Sequence, residues 1–205
     1  MSERQEHWNK VYADKSPLEV SWYQQAPELS LAMIARSGIA LDAPLIDVGG
    51  GASTLVDHLL AKGYRRPAVL DISGLALAHA RQRLGAEARQ VEWFEADVTA
   101  FEAPHPYALW HDRAVFHFLT EADDRRRYVA ALERALSPTG QVIIAAFAIG
   151  GPEQCSGLDI VQYDAAKLSA ELGAGFTLLE QASELHHTPA GGEQRFGYYR
   201  FARQS

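Results

Sequence analysis

The sequence is short of sulfur, of positive charge and of long apolar runs, and each shortage closes a class of function. It holds one cysteine, Cys155, so no disulfide can form within the chain and no thiolate-rich zinc site can be built. A lone thiol points to a reducing compartment. The opening MSERQEHWNK contains no apolar leader, so a cytoplasmic location is expected. No apolar stretch approaches the roughly 20 residues of a membrane-spanning helix, so no membrane partner is expected. Lysine and arginine number 19 against 26 acids, for a net charge of −7. Gripping nucleic-acid phosphates needs a basic surface, which argues against a nucleic-acid partner. The basic cluster Arg125 to Arg127 follows Glu121, Asp123 and Asp124 and reads as the solvated first turn of a helix. His186 and His187 lack a neighbouring cysteine or carboxylate cluster, so no metal is expected.

What is present is a globular composition, 47% apolar and 22% charged over 205 residues. No repeat, low-complexity run or linker divides it, which predicts one domain over 1–205. Residues 1–40 form a helical, aromatic lid segment and residues 41–205 the core. Strand and helix signals alternate. Strands are expected at Leu45–Val48, Ala68–Leu70, Val91–Phe94, Tyr107–Trp110 and Gln141–Phe147. Helices are expected from a Ser53 cap to Gly63, from Ser73 to Gly85, from Glu121 to Leu136 and from Asp164 to Leu172. The turn Ser137-Pro138-Thr139-Gly140 should close the third of these. Alternation of this kind predicts an α/β fold with a doubly wound, mostly parallel sheet. Phe176–Glu184 and Gln194–Ala202 have no helix between them, only Thr188 to Gly192, and should pair as an antiparallel hairpin. The expected result is a seven-stranded Rossmann-like sheet ending in that hairpin.

The sharpest motif is Asp47-Val48-Gly49-Gly50-Gly51-Ala52-Ser53, between strand and helix. Its glycines let the backbone bend tightly and let a ligand approach the main chain, while the helix N-terminus favours an anionic group. Asp71 closes the second strand 20 residues after Gly51, where a carboxylate can accept both hydroxyls of a ribose. Asp97, in Glu95-Ala96-Asp97-Val98, closes the third strand at the same edge of the sheet. Each aspartate alone reads equally well as a cap or turn residue. Three such features on consecutive strand ends favour a ligand site, because open α/β sheets bind at their carboxyl edge.

Here the sequence resembles the class I S-adenosylmethionine (SAM)-dependent methyltransferases. The matching pieces are Leu45 to Gly51, Leu70-Asp71-Ile72-Ser73, Ala96-Asp97-Val98 and Ser137 to Gln141. The resemblance implies SAM as cofactor, S-adenosylhomocysteine as product and no metal. It implies that Gly49 and Gly51 approach the methionine part, with Gly50 meeting the family's preference for a small residue and Asp47 orienting the loop. Asp71, with Ile72 beside it, would hold the ribose, Asp97 the adenine amine, and Val98 would present its N–H to the ring.

The fourth strand runs out through Trp110-His111-Asp112-Arg113, a strand end that in many methyltransferases faces the methyl group. It offers His111 and Asp112 as candidate catalytic bases, His111 as a further cofactor contact and Arg113 as a substrate contact. Adjacent strand residues point to opposite faces, so only some line the pocket. Asp112 and Arg113 also read as a structural ion pair, and His117 as either a substrate contact or a core histidine. The aromatic pairs Trp8/Tyr12 and Trp22/Tyr23 resemble the lid of small methyltransferases, and aromatic faces attract a sulfonium or ammonium. The long connection 148–163 reads as a substrate wall, with Cys155 unneeded as a nucleophile.

Methyl transfer is an in-line displacement that mainly requires positioning and exclusion of water. The acceptor is left open between a small molecule (thiol, phenol or carboxylate) and a protein lysine. Three-thiol arsenite chemistry is excluded by the single cysteine. Two rival readings are an NAD-binding oxidoreductase, which would want a glycine where Ala52 to Thr54 stand, and a non-catalytic SAM-binding module.

Overall fold

The computed structural model describes residues 2–204. Its centre is β1 (Leu45–Val48), whose four residues are all buried. Strand side chains alternate between faces, which sends Ile46 and Val48 to one side of the sheet and Leu45 and Asp47 to the other. β1 lies between β2 (Pro67–Asp71) and β4 (Tyr107–Arg113), parallel to both. With β3 (Glu92–Glu95), β5 (Leu136–Phe147), β8 (Phe176–His187) and β9 (Glu193–Arg203), the sheet order is β3-β2-β1-β4-β5-β9-β8. The β5–β9 and β8–β9 pairs are antiparallel, as the helix-free terminal stretch predicts. A ribbon of β6 (Gln154–Cys155) and β7 (Leu158–Asp159) folds within the 148–163 connection.

Among the described residues, six α-helices accompany the sheet: α1 (Glu3–Asp14), α2 (Glu28–Arg36), α3 (Leu55–Ala61), α4 (Gly74–Leu84), α5 (Ala122–Ala135) and α6 (Ala165–Leu172). Ser73 caps α4 by accepting from the Ala76 N–H at 3.2 Å, and Gly85 ends it at φ +57°. Asp164 caps α6 in the same way. Ser53 accepts from the Leu55 N–H at 3.1 Å, so it serves the start of α3 one residue before the formal cap, Thr54.

The two faces carry separate cores. Ile46, Trp110, Ile144 and Phe201 pack with Tyr128 and Leu132 of α5 and Leu168 of α6. Leu45, Leu109, Ile143 and Tyr198 pack with Met33 and Ile34 of α2 and Leu59 of α3. Each fully buried Leu or Ile contributes roughly 1.5–3 kcal/mol by leaving water, so both layers hold the sheet edge in place.

Three boundaries depart from the sequence reading. β4 continues three residues past Trp110 because His111 and Asp112 find buried polar partners and need not leave the strand. Ser137 to Gly140 form a bulge rather than a free turn: Leu136 pairs with Tyr107 and Gln141 with Leu109. β8 runs three residues past the expected Glu184, which places His186 and His187 opposite Gln194 and Glu193 before the turn at Thr188.

Candidate active site

At the carboxyl edge the chain leaves β1 and turns at Gly49 with φ +67°, a conformation that favours glycine. The Gly49 N–H donates to Leu70 O at 2.7 Å and ties the loop to β2. At Gly51 a Cβ would run into the Asp71 carboxylate and Ala76, so the bare backbone seats itself behind Asp71. Asp71 is 8% exposed, and its Oδ1 accepts from the Ser73 N–H at 2.8 Å. Burial pushes its pKa to about 7; the Ser73 N–H opposes this and the Asp47 charge adds to it. Asp97 turns Oδ1 to the Thr99 N–H and hydroxyl, at 2.9 and 2.8 Å, and Oδ2 to Arg4.

One cavity is lined by Gly49, Asp71, Ile72, Asp97 and Val98 together. The three strand tips singled out in the sequence therefore meet around one space. Beside it lies a smaller, more polar cavity, lined by Asp47, Gly50, Ser53, Ser30 and His111. The two share Tyr12, Trp22, Gly49 and Arg113 as common walls.

The polar end of β4 divides as strand alternation requires. His111 pairs in register with Asp47, and the two meet at 2.7 Å between Nδ1 and Oδ1. Its Nε2 lies 2.9 Å from Ser30 Oγ, so both ring nitrogens are engaged in a residue 2% exposed. Asp112 points to the opposite face and lines neither cavity. It accepts from the Tyr128 hydroxyl at 2.6 Å and from the Val115 and Phe116 N–H groups at 2.9 and 3.1 Å. Those bonds hold the turn after β4, where Ala114 adopts φ +70°. Burial raises the Asp112 pKa to about 6, with the Tyr128 hydroxyl opposing. The sequence reading of Asp112 as a base thus meets a side chain built into the core. Its alternative pairing with Arg113 is not made either, because Arg113 turns to the Tyr198 hydroxyl, Trp22 O and Glu184.

The lid residues gather over the larger cavity. Trp8 meets Trp22 and Phe118 edge-on, with centroids 5.7 and 4.9 Å apart, and Tyr12 stands 6.2 Å from Trp22. Tyr23 lines only the smaller cavity. Cys155, carried by β6, lines the larger one, and burial pushes its thiol pKa up, away from a nucleophilic thiolate. His117 is fully buried outside both cavities; its Nδ1 accepts from the Phe147 N–H and burial holds its pKa down to about 3, so it stays neutral.

Sequence reasoning missed Arg4, Ser30 and Phe118. Arg4 reaches Asp97 at 2.9 Å and Asp124 at 2.6 Å, and Gln5 reaches Glu95 at 3.0 Å, so α1 lies clasped over the tips of β3. No motif marks these residues, since each matters only through a partner far away in the chain.

The strand order, the glycine loop and the acidic tips define the class I SAM-dependent methyltransferase fold. Residues 45–140 match the family model described as a methyltransferase domain. That match takes in 96 of the 205 residues, from β1 through the Ser137–Gly140 segment. No curated protein matches the chain by sequence. Among solved structures, one concerned with converting a disulfide bond into a thioacetal group during echinomycin biosynthesis is 20% identical, with TM-score 0.80. That match covers 98% of this chain and 94% of the other. A SAM-dependent methyltransferase from Anabaena variabilis is 16% identical with TM-score 0.77, covering 100% and 96%. The N-methyltransferase NodS from Bradyrhizobium japonicum, in complex with S-adenosylhomocysteine, is 16% identical with TM-score 0.73, covering 96% and 98%. Among the described residues no helix is long and apolar enough to cross a membrane, and no three His, Cys, Asp or Glu side chains group as metal ligands.

Proposed function

We propose that this enzyme transfers the methyl group of SAM to a nucleophilic atom of a small acceptor held beneath the aromatic lid, with nitrogen the first atom to test. The observation that carries this is the single cavity joining Gly49, Asp71 and Asp97 to the wall of Trp8, Trp22 and Phe118. The residues present fit an adenosyl ligand. The buried Asp71 carboxyl is an acceptor for ribose hydroxyls, and Asp97 with the Val98 N–H matches an adenine edge. Gly49 and Gly50 leave room for the amino-acid end beside Asp47. The bound sulfonium supplies an electrophilic methyl carbon.

Everything else is positioning. Trp8, Tyr12 and Trp22 present aromatic rings to a cation and exclude water. His111 has both ring nitrogens engaged and Asp112 faces the opposite core, so in this reading the acceptor enters with its lone pair already free. A small acceptor is favoured over a protein side chain because α1 and the Trp22 segment cover the cavity. Nitrogen is favoured because NodS, of closely similar fold, is an N-methyltransferase. The lone buried thiol supports a cytoplasmic setting.

Calorimetry with SAM, S-adenosylhomocysteine and NAD tests the cofactor, and isotopically labelled SAM in a cell lysate, read by mass spectrometry, finds the acceptor. SAM and its product should bind and NAD should not, with labelled methyl on a small molecule. Binding of NAD in place of SAM sinks the proposal.

A further inference from the structure

Ser30, on α2, and His111, on β4, come together beneath the glycine loop although 81 residues separate them. Ser30 is fully buried, His111 is 2% and Asp47 3% exposed, and all three line the smaller cavity. The chain Asp47 Oδ1–His111 Nδ1–His111 Nε2–Ser30 Oγ closes at 2.7 and 2.9 Å. The order of groups is that of a hydrolase triad. The serine, though, has no exposed surface, so nucleophilic attack is not its task. The far end of the chain explains its use: a Cβ on Gly50 would fall 2.5 Å from Asp47 Oδ2, so the second carboxylate oxygen lies directly under the loop.

We propose that Ser30 and His111 are positioning residues for the cofactor: they lock Asp47 in the one orientation that places its charge under Gly50, beside the amino-acid end of SAM. This rests on the SAM reading above. The donor count supports it. An ionised carboxylate only accepts, so His111 must present Nδ1–H to Asp47. The Nε2 then needs a partner that suits either charge state of the ring. A hydroxyl is such a partner, because it donates to a neutral imidazole and accepts from a charged one. The carboxylate selects the tautomer, and Ser30 holds the ring's orientation toward Asp47, much as an outer partner orients a metal-bound histidine. Without the hydroxyl, Nε2 is left buried and unpaired, and the ring gains by turning toward another partner at the expense of Asp47.

The test uses the full chain with SAM as the probe, in wild type, Ser30→Ala, Ser30→Cys and Ser30→Thr. Alanine and the near-isosteric cysteine should weaken SAM about tenfold, while threonine, which keeps the hydroxyl, stays near wild type. Nitrogen-15 spectra of the His111 ring should show Nδ1–H in wild type and Ser30→Thr and a shifted ring pattern in Ser30→Cys, which keeps the packing if alanine does not fold. SAM affinity within twofold of wild type in the alanine or cysteine variant, or an unchanged ring signal, overturns the relay. Failure of the wild type to bind SAM overturns the methyltransferase reading instead.

Discussion

Arg4 donates to Asp97 across 93 residues of sequence, at 2.9 Å, and so ties the first helix to the tip of the third strand. The same guanidinium holds Asp124 of α5 at 2.6 Å. One residue thus clasps three elements over the cavity.

Half-exposed ion pairs stabilise by about 1 kcal/mol or less, so Arg4→Ala should lower Tm by no more than about 2–4 °C. Its effect should be local. Amide hydrogen exchange across residues 3–14 is expected to speed up by about tenfold relative to the sheet. Unchanged exchange in α1 would show that the aromatic contacts alone hold the lid.

Asp71 gives the site a pH dependence. Its folded pKa, about 7, lies above its ordinary 3.8. The stability this group contributes is therefore fully present below its ordinary pKa and is lost as pH rises through about 7. Ribose hydroxyls donating to the carboxylate favour the ionised form, so SAM binding should release a proton below neutrality. Affinity is expected to rise from about pH 6 to 8 and then level off. Calorimetry at pH 6.5 in buffers of different ionisation heat reads that proton directly. A proton count unaffected by Asp71→Asn would assign the titration to another group.

Gly50→Ala should fail for a steric reason, since its Cβ would lie 2.5 Å from Asp47 Oδ2 and 2.9 Å from a Val69 methyl. Neither neighbour is free, because Asp47 is held by His111 and Val69 is in the core. Overpacking of this kind costs about 1–3 kcal/mol, measurable by urea denaturation, and SAM affinity should fall with it. An alanine variant with full stability and affinity would mean that the loop repacks.

Tyr128→Phe tests the opposite face. It removes the donor to Asp112 and the acceptor for Trp110 Nε1, which lie 2.6 and 2.8 Å from the hydroxyl. Two buried polar groups lose a partner, so a loss of about 2–4 kcal/mol in unfolding free energy is expected. SAM affinity should change by less than threefold, since none of these groups lines the cavities. A large affinity loss in a stable variant would reopen the question of Asp112 acting in the site.

How much of this was readable beforehand depends on the range of the interaction. The glycine loop, Asp71 and Asp97 announce themselves because each sits where a strand ends, and strand ends are visible as local apolar runs. The antiparallel hairpin was legible from the missing helix between Phe176 and Ala202. The fates of His111 and Asp112 were not. Alternation says that they part, but which one meets the cavity depends on Ser30, 81 residues before His111, and on Tyr128, 16 residues after Asp112. Arg4 and Phe118 were invisible for the same reason. The Ser137–Gly140 segment reads as a turn by composition, and it lies as a bulge between the pairs Leu136–Tyr107 and Gln141–Leu109, partners that no local pattern reveals.

The C-terminal hairpin has a consequence for how the molecule is made. Gln24 bonds Glu184 from 160 residues away, Arg36 bonds Glu180 from 144, and Trp22 is gripped by Arg113, which itself leans on Tyr198. Helix α1 is seated on Asp97 and Asp124, whereas Gln24 and Arg36 take these partners from the hairpin strand β8. The hairpin therefore has to be in place before the stretch from Gln24 to Arg36 is fully held.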